Sequence, residues 1–415
     1  MIDNDNLISP SNWVEENSKI RAIGIGGGGC NAINYMFNHK IKGCTFIVCN
    51  TDKQSLDDSP VQLKIQLGEG LGAGCDPVAG RNAAIGEEDQ INKVVLEGTE
   101  MLFITAGMGG GTGTGAAPVI AAMARAKKIL TVAVVTLPFE ANKVALARAV
   151  DGIKELEKNV DSLLLINNEK LYDQYGDLLS HEAFPKTDEI LATAIGGITE
   201  IIRNKGYMNM DFNDVKRMMS NSGLALLGRG EGIGEDRIET AVDQALNSPL
   251  LNDFDIMTAK NVLINITAGK NEQGLKMIEL QKIKKLISEL TGDADNFKDG
   301  LIWDDSEEFK DKLKITVIAT GFKMKDLSKI TDMSLSNIIF IDDDFKYEKT
   351  PIKPGVEIEI PETGEAIKIG YNEINKKCFY FKEGEEPILT KANKDNIAFL
   401  ERSSAIKRYN NKGDL

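Results

Sequence analysis

Residues 209–214 read NMDFND and bring Asn209, Asp211 and Asp214 together just ahead of VKRMM. At a helix start, one Asx side chain is enough to cap free backbone N–H groups. Three are more than a cap requires. Paired carboxylates can also orient and polarise a water for attack on a phosphate, a reaction that depends on positioning more than on covalent chemistry. The sequence alone leaves both readings open, and the second needs a phosphate.

The place for a phosphate lies upstream. Residues 106–118, AGMGGGTGTGAAP, contain six glycines, two threonines and no charge, between the apolar run MLFIT and the helix-like VIAAMARAKK. Each glycine loses roughly 0.5–1 kcal/mol relative to Ala in conformational entropy, so a run of them implies a need for bare backbone. N–H groups offered at the start of a helix, where the dipole is positive, suit an anion. Pro118 is expected in the first turn of that helix.

Two further glycine-rich stretches resemble the first. GIGGGG (24–29) satisfies G-x-G-x-x-G at Gly24, Gly26 and Gly29, and Asp52 closes the next β-run, as in a dinucleotide fingerprint. An NAD-dependent oxidoreductase of the Rossmann type is therefore one functional alternative. Two such loops on neighbouring strands argue instead for one longer polyphosphate. No G-x-x-x-x-G-K-[ST] occurs, so phosphate charge falls to N–H groups, Thr112, Thr114 and a metal such as Mg²⁺. The third stretch, GEGLGAGCDPVAG (68–80), reads as a mobile loop over a terminal phosphate, with Pro77 opening a helix.

Positioning these loops requires a sheet. From Lys19, short apolar runs (RAIGI, TFIVCN, LKIQL, MLFIT, LTVAVV, SLLLIN) alternate with helical ones, the pattern of a parallel sheet covered on both faces. Ligands bind such sheets at the carboxyl ends of the strands. Residues 182–204 keep a helical apolar period past Pro185 and read as a long buried helix leading to a smaller α/β set (LALLGRG, NVLINITAG, GLIW, KITVIATG). Beyond Asp343, EIEI, AIKIG and CFYFKE suggest weak strands or hairpins.

Composition bounds the function. The chain has 415 residues, a net charge of −14 and no Lys/Arg-rich block, which argues against a nucleic-acid partner. Charges cancel from Asp344 onward, so the acidity belongs to residues 1–343. Five cysteines without a CxxC pair and two histidines indicate neither a zinc site nor a disulfide framework, and no protein metal site is expected. The polar N-terminus and the short ILTVAVVTLPF run give neither signal peptide nor membrane helix, so a cytoplasmic protein is expected.

In this order and spacing, GIGGGGCNAI, CNTDKQSL, GLGAGCDP, AGMGGGTGTGAAPVIA, NMDFNDV and VLINITAG resemble FtsZ, the bacterial tubulin homologue of cell division, over about residues 19–322. The resemblance implies an α/β, tubulin-like fold: a GTP-binding domain (19–181), a central helix (182–205) and a C-terminal GTPase-activating domain (206–322). A flexible segment (1–18), a variable linker (323–395) and a terminal interaction peptide (396–415) flank them. The implied activity is that of a GTPase polymerising head to tail at the division septum, with GTP or GDP and Mg²⁺, and K⁺ as a candidate monovalent ion. Implied partners are further copies of itself and division adaptor proteins, with the membrane reached only through them.

By the same resemblance, Gly27, Gly28, Gly29, Asn31, Gly111, Thr112 and Gly113 contact phosphate. Glu140 and Asn168 meet the sugar, Phe184 stacks on guanine, and Asp188 accepts from the guanine edge. The same motifs bring Gly26, Cys30, Asn50, Asp52, Ala73, Gly74, Gly109, Gly110 and Thr114 into the nucleotide set. Asn209, Asp211 and Asp214 are the implied catalytic residues. Like charges repel, so these carboxylates are expected beside the phosphates of a neighbouring subunit rather than their own.

Two departures stand out. Where the family carries a basic residue four positions after the glutamate, this chain has Val144. Val144 and Arg148 are counted with the nucleotide set: Arg148, one helical turn later, is expected to reach back as a partial substitute, the alternative being a solvated surface charge. The family's Pro-Ala-Phe-Leu-Arg peptide is here Ile397, Ala398, Phe399, Leu400 and Glu401, which alters the adaptor motif.

Overall fold

The computed structural model describes residues 19–322 except 140–141, 170–171, 173–174, 204–210, 247–257 and 293, together with five short strands between 338 and 380. β1 (Ile20–Ile25), β2 (Thr45–Asn50), β3 (Leu63–Gln66), β4 (Met101–Gly107), β5 (Leu130–Leu137) and β6 (Ser162–Asn167) are parallel, in the spatial order 3-2-1-4-5-6. β4 and β5 are buried along almost their whole length, as continuous apolar runs in a doubly covered sheet require. This order reverses direction between β1 and β4, and the crevice at their carboxyl ends is the ligand position of doubly wound sheets.

The connecting helices are α1 (Gly26–Asn38), α2 (Lys53–Asp57), α3 (Pro77–Gly86), α4 (Glu88–Ile91), α5 (Thr112–Ala126) and α6 (Lys143–Glu157). A π-helical turn, Asn92–Leu96, follows α4. The helix expected to open near Pro118 starts at Thr112, so Pro118 lies inside α5 and the phosphate turn shrinks to 108–111. The reason is packing. A Cβ on Gly113 would come within 2.5 Å of the Gly107 carbonyl oxygen, and one on Gly115 within 2.0 Å of that of Pro77. These glycines let the first turns of α5 lie directly against β4 and α3.

α7 (Ser180–Arg203) runs for 24 residues, about 36 Å. Leu191, Ala194, Ile195, Ile198 and Ile201 are buried in one cluster with Ala32, Ile33 and Met36 of α1. Each large aliphatic side chain buried this way stabilises the fold by about 1.5–3 kcal/mol. α8 (Phe212–Met219) follows and adds Val215, Met218 and Met219 to the same cluster.

The second α/β set consists of β7 (Gly223–Ile233), α9 (Arg237–Leu246), β8 (Asn261–Gly269), α10 (Met277–Thr291), β9 (Asn296–Asp304) and β10 (Lys312–Phe322). Its strands extend the first sheet: β7 pairs parallel with β6 at Ser162–Leu164, giving ten strands in the order 3-2-1-4-5-6-7-10-8-9. Buried Arg237 ties this half together, donating to the Gln273, Gly274 and Asp311 carbonyls and to Glu279.

Residues from Asp332 form a separate unit. It contains β11 (Ile338–Ile341) between β12 (Tyr347–Thr350) and β15 (Cys378–Tyr380), and a pair made of β13 (Glu357–Glu359) and β14 (Ala366–Lys368). Segments 1–18 and 396–415 lie outside the described residues.

Candidate nucleotide site and the carboxylate pair

The first two glycine loops meet at the crevice between β1 and β4. α1 starts immediately after β1, with Gly26 at φ +70°. A Cβ on Gly26 would approach Gly113 N to 3.0 Å and Thr112 Cβ to 3.2 Å; one on Gly29 would come within 2.2 Å of the Thr105 carbonyl oxygen. These glycines make room for neighbouring backbone. Gly27 and Gly110 differ: a Cβ on either meets nothing within 4 Å. They are the bare backbone left open at two adjacent helix starts, an arrangement that favours an anion spanning both.

Hydroxyls hold the turn in shape. Thr114 Oγ1 accepts from Gly109 N at 2.8 Å, and the Thr51 and Thr112 hydroxyls share a 2.6 Å hydrogen bond. Thr114, expected to meet phosphate, is buried and spends its oxygen inside the turn. Thr51 was missed by sequence reasoning, which singled out its neighbours Asn50 and Asp52 within CNTDKQSL.

Two other expectations need correcting. The Cys30 thiol points into the core, donating to the Gly24 and Cys49 carbonyls at 3.6 Å each, and burial pushes its pKa up to about 12. As a thiol it cannot serve the nucleotide. Asp52, placed as the ribose-binding acid of a dinucleotide fingerprint, instead has its carboxylate committed to capping α2, accepting from Gln54 N at 3.0 Å and Ser55 Oγ at 2.8 Å. Hydrogen bonds to the ionised form, the Ser55 hydroxyl first, hold its pKa below the usual carboxylate range. Buried Asn50 accepts from Asp52 N at 3.3 Å and supports the same corner. Asn31 is exposed on the first turns of α1.

The 68–80 loop, expected to be mobile, is tied along its length. Lys53 N donates to the Gly70 carbonyl, Gly72 N to Thr51, and Asp76 N to Ala73. The Asp76 carboxylate caps α3 through Val78 N, where Pro77 opens the helix as expected. Ala73 and Asp76 sit against the phosphate turn, since a Cβ on Gly111 would fall 2.8 Å from Ala73 Cβ and from Asp76 N. Gly74 has φ +55° and faces open space.

Arg148 is neither a solvated charge nor a free guanidinium. It is 8% exposed, and its Nη1 donates to the Cys75 carbonyl at 2.8 Å and the Gly109 carbonyl at 3.3 Å. Val144 is half-buried on the first turn of α6, capped by Asn142 through Ala145 N.

At the far end of the crevice, Asn168 follows β6, and its Oδ1 is buried without a hydrogen-bond partner. An acceptor in that state suits a hydroxyl donor such as a ribose. Asp188, half-buried on α7, has its pKa raised to about 6 by burial. Glu140, Asn209 and the side chain of Phe184 lie outside the described residues. An open backbone cradle, an acceptor without a hydrogen-bond partner and a desolvated carboxylate are thus carried by α1 and the β4–α5 turn, the end of β6 and α7 respectively.

The carboxylate pair sits elsewhere. Asp211 caps α8 through Asp214 N at 2.8 Å, while Asp214 Oδ2 accepts from Asp211 N at 3.2 Å. Asp214 also pairs with Lys298 of β9 at 3.1 Å, a partner without a sequence signal. The Ser162 hydroxyl, at the start of β6, donates to the Met219 carbonyl at 2.8 Å and docks the end of α8 at the amino edge of the parallel strands. The glycine loops lie at the carboxyl edge. Among the described residues, no hydrogen bond or ion pair joins Asp211 or Asp214 to those loops.

Comparison with known proteins bears on the family and the fold. The family model for the Tubulin/FtsZ GTPase domain matches residues 19–176, and that for the FtsZ C-terminal domain matches 223–323. Cell division protein FtsZ of Porphyromonas gingivalis is 44% identical over 77% of this chain and 71% of its own length. That of Neisseria meningitidis is 45% identical over 74% of this chain and 79% of its own. An FtsZ dimer from M. jannaschii superposes with a TM-score of 0.66 at 36% identity, covering 76% of this chain and 93% of that one. A Haloferax volcanii CetZ2 protofilament shares the fold, with a TM-score of 0.63 at 19% identity over 75% of this chain and 96% of its own. Nothing in these likenesses supports an oxidoreductase. With its two glycine loops at one switch point and both domain models matched, the chain belongs to the FtsZ family of tubulin-like cell-division GTPases.

Proposed function

We propose that this GTPase binds GTP between the paired glycine loops of one copy and hydrolyses it with carboxylates supplied by the next. The observation that carries the reading is the separation of the two sites. The open backbone at Gly27 and Gly110 lies at the carboxyl edge of the sheet, whereas Asp211 and Asp214 belong to a helix docked at its amino edge. Head-to-tail stacking brings opposite edges together, and assembly then completes the active site.

In this reading Gly27, Gly28, Gly29, Gly110, Gly111 and Gly113 offer N–H groups to the phosphates, with Thr112 beside them. Asn168 accepts from the ribose, and Asp188 accepts from the N1–H and N2 amino groups that distinguish guanine from adenine. Asp211 and Asp214 of the adjoining copy, with Asn209, orient the attacking water and take up its developing proton charge. Mg²⁺ neutralises phosphate charge; it would arrive with the nucleotide, because among the described residues no cluster of three His, Cys, Asp or Glu side chains could hold it. K⁺ is the candidate monovalent ion.

The filament is assigned to the division septum in the cytoplasm, by kinship with cell-division proteins. Among the described residues no helix is long and apolar enough to cross a membrane. Contact with the membrane would then pass through adaptor proteins that read residues 396–415.

Mixing tests the central claim. Asp211→Asn binds GTP but lacks the catalytic carboxylate, and Gly111→Ser keeps the carboxylate but forces a side chain against Ala73 and Asp76. Each alone should release little phosphate, and the mixture should recover turnover together with light scattering from polymer. Failure of every such mixture to hydrolyse GTP would refute catalysis across an interface.

A further inference from the structure

Cys75 adopts φ +60°, a left-handed conformation that a non-glycine residue holds only when its surroundings impose it. The loop supplies part of that constraint, through the Asp76 N bond to the Ala73 carbonyl and the cap of α3 by Asp76. The rest comes from α6. Arg148 Nη1 holds the Cys75 carbonyl at 2.8 Å and the Gly109 carbonyl at 3.3 Å. One buried guanidinium therefore bridges the loop over the terminal phosphate and the turn beneath it. Its Nε is buried without a partner, and among the described residues no carboxylate pairs with it. A side chain placed for ion pairing would be arranged otherwise.

Gly109 adds to the case. It stands at φ +98°, and a Cβ there would meet the Ala145 carbonyl oxygen at 2.6 Å, so the first turns of α6 press directly on the phosphate turn. Arg148 lies one turn further along this helix. The 68–80 loop, the phosphate turn and α6 are thus held at one point by one side chain.

We infer that Arg148 is a positioning residue for the terminal phosphate: it couples residues 73–76 to the phosphate turn so that both present their backbone to the γ-phosphate as a unit. It acts through the Cys75 and Gly109 carbonyls and does not itself bind nucleotide. This rests on the reading that the crevice holds GTP. It predicts an effect on GTP that GDP, which lacks the phosphate the loop faces, does not share.

The experiment compares Arg148→Met, which keeps the aliphatic volume, and Arg148→Lys with the parent chain. Affinities for GTP and GDP are measured by titration, and amide hydrogen exchange at Gly72 and Asp76 is followed in the GDP-bound protein. In Arg148→Met, GTP affinity should fall about tenfold with GDP affinity within about twofold, and both amides should exchange faster. Arg148→Lys, able to reach one carbonyl at a time, should recover part of each change. An equal loss for both nucleotides, or unchanged exchange at Gly72 and Asp76, overturns the positioning role, as does a melting temperature lowered in step with the affinity loss. Absence of GTP binding by the parent chain would instead overturn the functional reading, and this inference with it.

Discussion

Asp211 and Asp214 cap one another: each carboxylate accepts the other's backbone N–H, at 2.8 and 3.2 Å, and Asp214 takes Lys298 as well. The carboxylates proposed to be catalytic therefore also form a capping box, and substitution can separate the two roles. Asn caps a helix about as well as Asp, whereas Ala removes the cap at about 1 kcal/mol. Asp211→Asn should therefore melt like the parent chain yet lose about 10²-fold or more in GTP turnover. Asp211→Ala should lose both. Thermal melts with phosphate-release assays decide it, and an Asn variant with full turnover would leave Asp211 as a cap alone.

The glycines divide by what a methyl group would meet. Gly27→Ala adds a Cβ with no protein atom within 4 Å and should fold at least as stably, since Ala is favoured over Gly in a helix by about 0.5–1 kcal/mol. Its GTP affinity should nevertheless fall about tenfold or more, as the methyl occupies the space left for phosphate. Gly29→Ala points its Cβ at the Thr105 carbonyl, 2.2 Å away, and should destabilise the fold by about 1–3 kcal/mol. Equal melting losses in both variants would contradict the division of roles.

This division also marks what the sequence could and could not disclose. The six parallel strands and α7 were legible, because unalternating apolar runs and a sustained helical period are decided by burial. The glycine-rich stretches were read as backbone bared for an anion, which omits a second use of glycine. Gly26, Gly29, Gly113 and Gly115 belong to helices, and their lack of a side chain serves backbone contacts between elements distant in sequence. The fates of Thr114 and Asp52 were hidden for a similar reason: short polar side chains are claimed by the nearest backbone N–H, a competition that motif spacing does not record. The pairing of β7 with β6 was beyond reach as well, since apolar patterning does not specify which strands become neighbours.

Asp188 gives a pH dependence. Burial raises its pKa from 3.8 to about 6, so the folded state favours the proton. The associated stabilisation is fully present below about pH 4 and is lost as pH rises through about 6, leaving a desolvated carboxylate at neutral pH. Because the residue is only half-buried, the cost at about pH 8 is discounted to about 1–2 kcal/mol. Asp188→Asn should melt higher than the parent chain at that pH, with the advantage shrinking toward about pH 4. The parent's GTP affinity should weaken below about pH 6, where a protonated carboxyl loses its charge and keeps only one good acceptor for the two guanine donors, and the variant should lose both this dependence and the preference for GTP over ATP. Titrations across this range check both; a GTP preference surviving in Asp188→Asn would remove the residue from base recognition.

Val144 and Arg148 share a face of α6, one turn apart, which invites the idea that one replaces the other. The hydrogen bonds argue against replacement. Arg148 directs Nη1 at the Cys75 and Gly109 carbonyls, whereas an arginine at 144 would stand on the first turn of α6 with its guanidinium free for phosphate. Two side chains with different targets and no shared hydrogen-bond partner should show a coupling small beside their single effects, and at positions one turn apart that coupling has to be measured. Val144→Arg should then raise GTP affinity by about tenfold in the parent chain and by the same factor in Arg148→Met. If Arg148 instead stood in for the absent arginine, Val144→Arg would do little in the parent chain and would restore Arg148→Met to the parent's affinity. A double-mutant cycle on GTP affinity separates the outcomes, because only substitution produces a coupling energy comparable to the single effects.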